Sequence, residues 1–244
     1  VVNNRKFSLL GDPALTIGYP LYNINTTAIN GKAVTSVPDT LKALSRYSVE
    51  GAMVDNNGNI LNDFNGTIHA SVFDKAQALS TRGNGPGSVP TSFQTYKSLI
   101  YKGKAKVNGG KFSFNFIVPK DINYAPGSGR ISYYAENGSV DGNGVFNDFV
   151  VGGSGDSIND KDGPEIRAFL NDERFINGSI TNENPVLLVK LTDSSGINIM
   201  GSGIGHDLVA ILDSDPSKQY VLNEFYEADL DDYKRGVVRF QLPV

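Results

Sequence analysis

Cysteine and tryptophan are absent from the 244 residues, and histidine and methionine appear only twice each. Without a thiol the chain carries no disulfide, no thiolate metal site and no cysteine nucleophile, although this does not choose a compartment. Asp and Glu (26) outnumber Lys and Arg (22), giving a net charge of -4 and a pI near 5.2. No basic stripe for phosphate neutralisation exists, which excludes nucleic acid as the expected partner. No stretch approaches the roughly eighteen apolar residues that cross a bilayer, so no transmembrane segment is expected. Hydrophobic residues at 39% and charged residues at 20% fit a globular chain long enough for two cores. No secretory leader is visible, and location is not readable from the ends.

What is present is turn chemistry between short alternating runs: 27 glycines, 11 prolines, 11 tyrosines and 13 phenylalanines. Period-two alternation predicts an all-β chain. In Lys111 to Val118, residues Phe112, Phe114, Phe116 and Val118 share one face and Lys111, Ser113 and Asn115 the other. Lys104 to Val107 precedes it, and a hairpin is expected to close at Asn108-Gly109, because both residues tolerate positive φ. Tyr47 to Val54 and Gly66 to Phe73 read as a strand pair flanking the turn formers Asp55 to Asn59, and Ile131 to Ala135 as a further strand. Residues 81–91 read as a long Gly/Pro/Ser loop. Asp39 to Leu44 admits a helix capped by Asp39, but the β-branched and aromatic residues beyond it favour a strand.

Gly152 to Pro164 has the flexible polar character of an interdomain linker. The expected organisation is two immunoglobulin-like β-sandwiches in tandem, residues 31–153 and 165–244, with a linker at 154–164 and a preceding segment, residues 1–30, that closes another domain. Ile166 to Leu170, Val186 to Leu191, Leu208 to Leu212 and Val237 to Leu242 read as strands of the second unit, with a turn at Asp193 to Gly196. Residues 165–244 are fewer than the roughly 100 of a seven-stranded immunoglobulin domain, so its last strand or two are expected beyond Val244.

Candidate chemistry is sparse. His69 lies inside an expected strand and is read as a structural imidazole. His206 and Asp207 adjoin Gly201 to Gly205, but a G-x-S-x-G elbow around Ser202 would need glycine where Met200 stands, and Ser202, His206 and Asp207 lie too close in sequence for an ordinary triad. No Gly-Lys pair has the glycine spacing of a phosphate loop. Asp55 to Asn59 resembles the opening of a calcium loop, with its glycine misplaced and Gly66 where the loop needs glutamate. Asp156, Asp160 and Asp162 are weak calcium candidates, and Glu224, Glu227, Asp229, Asp231 and Asp232 form a second acidic cluster. No other cofactor is expected. Asn25, Asn65, Asn137 and Asn177 match the N-glycosylation pattern, three of them as Asn-Gly turn signals.

The run Phe7 to Leu15 (FSLLGDPAL), with Asp39 to Leu44, Phe64 to Thr67, Val118 to Tyr124, Arg130 to Ala135, Asn182 to Val186 and Gly203 to Asp207, resembles the post-peptidase region of the PorU family. These are gingipain-like cysteine peptidases of the type IX secretion system of Bacteroidetes. The resemblance implies a surface sortase that removes C-terminal signals from secreted cargo. Its catalytic Cys/His pair would lie before Val1, so no catalytic residue is carried onto this chain. It further implies that residues Phe7 to Ile17 close the peptidase domain and that the residues after Ile17 are non-catalytic. This region would brace its own upstream peptidase domain and help dock it, at the cell surface, to an outer-membrane barrel protein of the PorV kind. Thr40 and Ser157, in Asp-Thr-Leu and Asp-Ser-Ile, resemble O-glycosylation acceptors of that phylum. The alternative reading is a carbohydrate-binding or adhesive sandwich using tyrosines such as Tyr96, Tyr101, Tyr124, Tyr133 and Tyr134 as stacking platforms.

Overall fold

The alternating phenylalanines organise the molecule. The computed structural model describes residue 14 and residues 18–34, 39–155, 162–201 and 207–243. Its strands are Tyr22–Ile29 (β1), Lys32–Ala33 (β2), Asp39–Ala43 (β3), Arg46–Val54 (β4), Gly66–Phe73 (β5), Gln77–Ser80 (β6), Ser92–Thr95 (β7), Leu99–Asn108 (β8), Lys111–Ile117 (β9), Gly127–Ser128 (β10), Arg130–Glu136 (β11), Asp141–Phe146 (β12) and Phe149–Ser154 (β13). They continue with Glu165–Leu170 (β14), Val186–Thr192 (β15), Val209–Ile211 (β16), Gln219–Val221 (β17), Tyr226–Leu230 (β18) and Asp232–Gln241 (β19). Among the described residues, helical structure is limited to 3-10 turns at Leu212–Ser214 and Asn223–Phe225.

Seven strands close into a barrel in the order β8, β5, β11, β12, β1, β4, β9, with β9 returning to β8. Every neighbour is antiparallel except β1 and β12. The closing contact is the β8–β9 hairpin, Val107 opposite Phe112 and Asn108 opposite Lys111. Its turn sits one residue later than expected. Gly109 (φ 54) and Gly110 (φ 72) supply the two left-handed residues, and a Cβ on Gly110 would lie 2.4 Å from the Leu61 carbonyl oxygen. Phe112, Phe114 and Phe116 enter the barrel, where Tyr101 stacks on Phe114 and Phe116 at centroid distances of 5.6 and 5.4 Å. Each buried ring contributes about 1.5–3 kcal/mol of transfer free energy. Burial pushes the Tyr133 phenol up, and its hydroxyl is satisfied 2.7 Å from Thr26 Oγ1.

β4 and β5 do not pair with each other as expected. β4 lies between β1 and β9, and β5 between β11 and β8. The Asp55 turn brings the chain back only for a bridge from Val54 to Ile60, with Asp55 Oδ1 accepting from the Asn57 and Asn59 amides. Residues 39–43 form a strand, ended by Leu44 at φ 58. In a small sheet β13 pairs with β3 and β10, adding Leu41, Phe149 and Val151 to the barrel core.

The all-β expectation holds, while in place of two separate sandwiches the described strands form one barrel with a sheet extension. β14, β15, β19 and β18 run antiparallel in that order, and β18 joins β8 in parallel through Ala228 opposite Gly103 and Leu230 opposite Lys104. Glycine makes the junction possible, because a Cβ at Gly103 would stand 2.8 Å from that of Ala228. The inner face of the extension therefore continues the barrel interior, and Val189, Leu191, Tyr226 and Val238 share one core with the barrel phenylalanines. β16 and β17 lie over this face as a second layer, with Tyr220 packed 5.3 Å from Phe240.

Residue 30 falls in the β1–β2 turn, Asn30 (φ 49) and Gly31 (φ 72), so residues 22–29 belong to the barrel. The Phe7 to Leu15 run lies outside the described residues apart from Ala14, as does linker stretch 156–161.

Candidate functional site

Alternation along β8 turns Tyr101, Ala105 and Val107 inward and Lys102, Lys104 and Lys106 outward, making a cationic ladder on the barrel wall. The acidic residues near the end of the chain meet this ladder. Glu227, on β18, receives Lys104 Nζ at 2.7 Å on Oε2 and His69 Nδ1 at 3.0 Å on Oε1. Asp231, held at φ 60, accepts the Lys106 amide at 2.9 Å and stands 3.7 Å from its ammonium, while its own amide donates to the Lys104 carbonyl at 3.0 Å. Lys102 donates to the Glu224 carbonyl at 2.7 Å. Asp232 faces Arg235.

Partial burial pushes the Glu227 carboxyl up, but the hydrogen bonds and charges of Lys104 and His69 outweigh it, so the group lies below its ordinary value. Because the carboxylate only accepts, His69 donates from Nδ1. No thiol exists in the chain, and among the described residues no hydroxyl is hydrogen-bonded to His69. The cluster joins barrel to extension.

Asp156, Asp160, Ser157, Ser202 and His206 lie outside the described residues. Asp207 lines a cleft of about 650 Å³ with Gln77, Lys97, Asn223 and Glu224. Asp162 lines another of about 440 Å³ with Leu44, Val118, Asp193 and Ile197. Among the described residues no group of three or more His, Asp or Glu is arranged to hold a metal ion. Of the five tyrosines singled out, Tyr101 and Tyr133 are core residues, Tyr96 lies under Arg130, and Tyr124 and Tyr134 are exposed. Asn137 and Asn177 each precede a left-handed glycine, whereas Asn65 is a connector whose Oδ1 accepts the Gly109 amide. Thr40 is exposed on β3.

Two polar fasteners carried no sequence signal. Lys75 Nζ donates to Asp74 Oδ1 at 2.6 Å and to the carbonyls of Asn123 and Val151 at 2.8 and 3.2 Å, tying the small sheet to the barrel. Buried Asn223 accepts the Leu208 amide and donates to the Ile199 carbonyl, both at 3.0 Å, fixing the second layer. An isolated asparagine or an Asp-Lys pair in sequence gives no hint of such partners.

No protein-family model and no curated protein matches this chain. Among solved structures it is similar to the dimeric latent PorU of Porphyromonas gingivalis, with 32% identity over 96% of this chain and a TM-score of 0.57. The chain spans 22% of that PorU chain. It also aligns with Spo0M, a sporulation control protein of Bacillus subtilis, at 12% identity over 92% of this chain and 91% of the other, with a TM-score of 0.31, too low to carry an argument. The chain is a PorU-related region.

Proposed function

We propose that this PorU-related chain is the non-catalytic structural and docking region of a cell-surface, gingipain-like cysteine peptidase. The observation that carries the reading is the PorU likeness, which covers 96% of this chain yet only 22% of PorU, in a chain without cysteine. Peptide cleavage and transfer then belong to the rest of the parent protein, and this region supplies rigidity and contact surface. The barrel suits that task, because a closed ring with one continuous core holds its outer face in fixed register. The ionic cluster at Glu227 fixes the extension against the barrel, so surfaces on both are presented together.

In this reading the first partner is the parent's own peptidase domain and the second an outer-membrane barrel protein of the PorV kind. Separately produced peptidase domain, mixed with this chain, is expected to co-elute with it in size-exclusion chromatography. Absence of a complex, together with unchanged thermal stability of the peptidase domain, overturns the bracing role. Failure of the purified barrel protein to retain the parent while retaining authentic PorU overturns the docking role.

A further inference from the structure

Asn30, Asn57, Asn65, Asn84, Asn108, Asn137, Asn143 and Asn177 each precede a glycine. Such a step can modify itself, because glycine has no Cβ to shield its backbone nitrogen, and that nitrogen can close a five-membered ring onto the asparagine side-chain carbon. Two conditions decide whether it does. The side-chain amide must be free to rotate into line, and the following backbone amide must not be held elsewhere.

The fold denies one or both conditions to most of these steps. The Asn30 side-chain oxygen accepts the Ser48 amide at 2.8 Å, and that of Asn65 accepts the Gly109 amide at 3.0 Å, which ties down both Asn65 and the glycine after Asn108. The Gly58 amide donates to the Asp55 carbonyl and the Gly85 amide to Ser88 Oγ, each at 3.0 Å. Asn143 is fixed in β12, opposite Tyr134 of β11 and Asn23 of β1. Asn137 is the sharpest comparison for Asn177, since both begin the tripeptide Asn-Gly-Ser. Its side-chain oxygen accepts the Ser139 and Val140 amides at 3.1 and 3.0 Å, and the Gly138 amide donates to Glu136 Oε2 at 2.9 Å.

Asn177 meets both conditions. It lies in an exposed turn closed by the Ser179 amide on the Ile176 carbonyl at 3.0 Å, with Gly178 at φ 86. Among the described residues neither the Asn177 side chain nor the Gly178 amide has a hydrogen-bond partner, and a Cβ on Gly178 would meet no other atom within 4 Å.

We propose that Asn177 is a self-modification site at which the chain converts asparagine into aspartate and isoaspartate. The Gly178 nitrogen gives up its proton and bonds to the Asn177 side-chain carbonyl carbon, the carbon–nitrogen bond of the carboxamide breaks, and the departing nitrogen takes up the proton and leaves as ammonia. Water then opens the cyclic imide at either carbonyl. A carboxylate replaces the neutral amide, and by one of the two routes the backbone gains a methylene. The new charge falls between Ile176 and Ile180, which are 73% and 99% exposed, so an apolar turn becomes an anionic one. The reaction consumes only water and does not depend on the docking role proposed above.

Incubation of the intact protein in mildly alkaline heavy-oxygen water, followed by peptide mass spectrometry, tests the proposal. Labelled acid is expected to appear at Asn177 about tenfold or more faster than at Asn137, because Asn137 must first open hydrogen bonds that Asn177 lacks. In concentrated urea both identical tripeptides are free, and the two rates should converge. Comparable rates in the folded protein, faster conversion at any other Asn-Gly step, or a preference for Asn177 that persists unchanged in urea overturns the proposal.

Discussion

Replacing Glu227 by Gln keeps the shape of the side chain and removes the charge on which Lys104 and His69 converge. In a dry interior, hydrogen bonds to a charged group contribute about 1.5–3 kcal/mol each. Glu227, Lys104 and His69 side chains are 29%, 34% and 39% exposed, so solvent screening brings each contact toward the roughly 0.2–1 kcal/mol of surface pairs. Between these bounds the substitution is expected to cost about 1–2 kcal/mol at pH 7. The Glu227 carboxyl is depressed in the folded protein, so its contribution is complete above the unfolded value of about 4.3 and is lost as pH falls through the lower folded value. Urea titrations of both proteins at pH 7, 5 and 3 read this out as a difference in midpoint at constant slope. The gap should be full at pH 7 and smaller at pH 3 than at pH 5. An equal deficit at all three values would mean that packing, not charge, joins the extension to the barrel, and no deficit at pH 7 would refute the role of the cluster.

Lys75→Met strands the nearly buried Asp74 carboxylate and two carbonyls and is expected to cost about 3–5 kcal/mol, much of it recovered in the Asp74→Asn, Lys75→Met double variant; a double-mutant cycle by chemical denaturation checks this. Asn223→Ala leaves the Leu208 amide and Ile199 carbonyl unpaired and should cost about 1–3 kcal/mol, with faster amide exchange at Leu208 and Leu222. Phe114→Ala removes a ring stacked against both Tyr101 and Phe116 and should destabilise by about 3–5 kcal/mol, seen as a lowered denaturation midpoint.

Regular alternation made β9 legible, since Phe112, Phe114 and Phe116 all enter the core, and the Asp193 turn was equally plain, with the Gly196 amide closing on the Asp193 carbonyl at φ 81. β1 was hidden by a bulge between Thr26 and Ala28, which shifts the phase so that Ile24 and Ile29 are both buried although they do not share a period-two face. β12 was hidden by its glycines, which read as turn signals. Their reason is crowding: a Cβ on Gly144 would lie 2.1 Å from the Ile24 carbonyl oxygen, and one on Gly142 2.6 Å from Met53 Cε. The acidic residues near the end of the chain were visible as a cluster, but their partners on β8 are distant in sequence, and a parallel junction of two residue pairs leaves no local pattern. His69 reads as structural from its place inside a strand, and Glu227 on a distant strand is its partner.

The parallel pairing of Tyr22 with Gly142 sets an order on folding. A chain emerging from its N-terminus exposes β1 long before β12 exists, and β4 can zip to it at once while the other flank waits. The pairing of β1 with β12 is therefore a late, high-contact-order event on the slow millisecond-to-second scale of β proteins, and until then the unpaired flank of β1 is the place where chaperones or neighbouring nascent chains would bind.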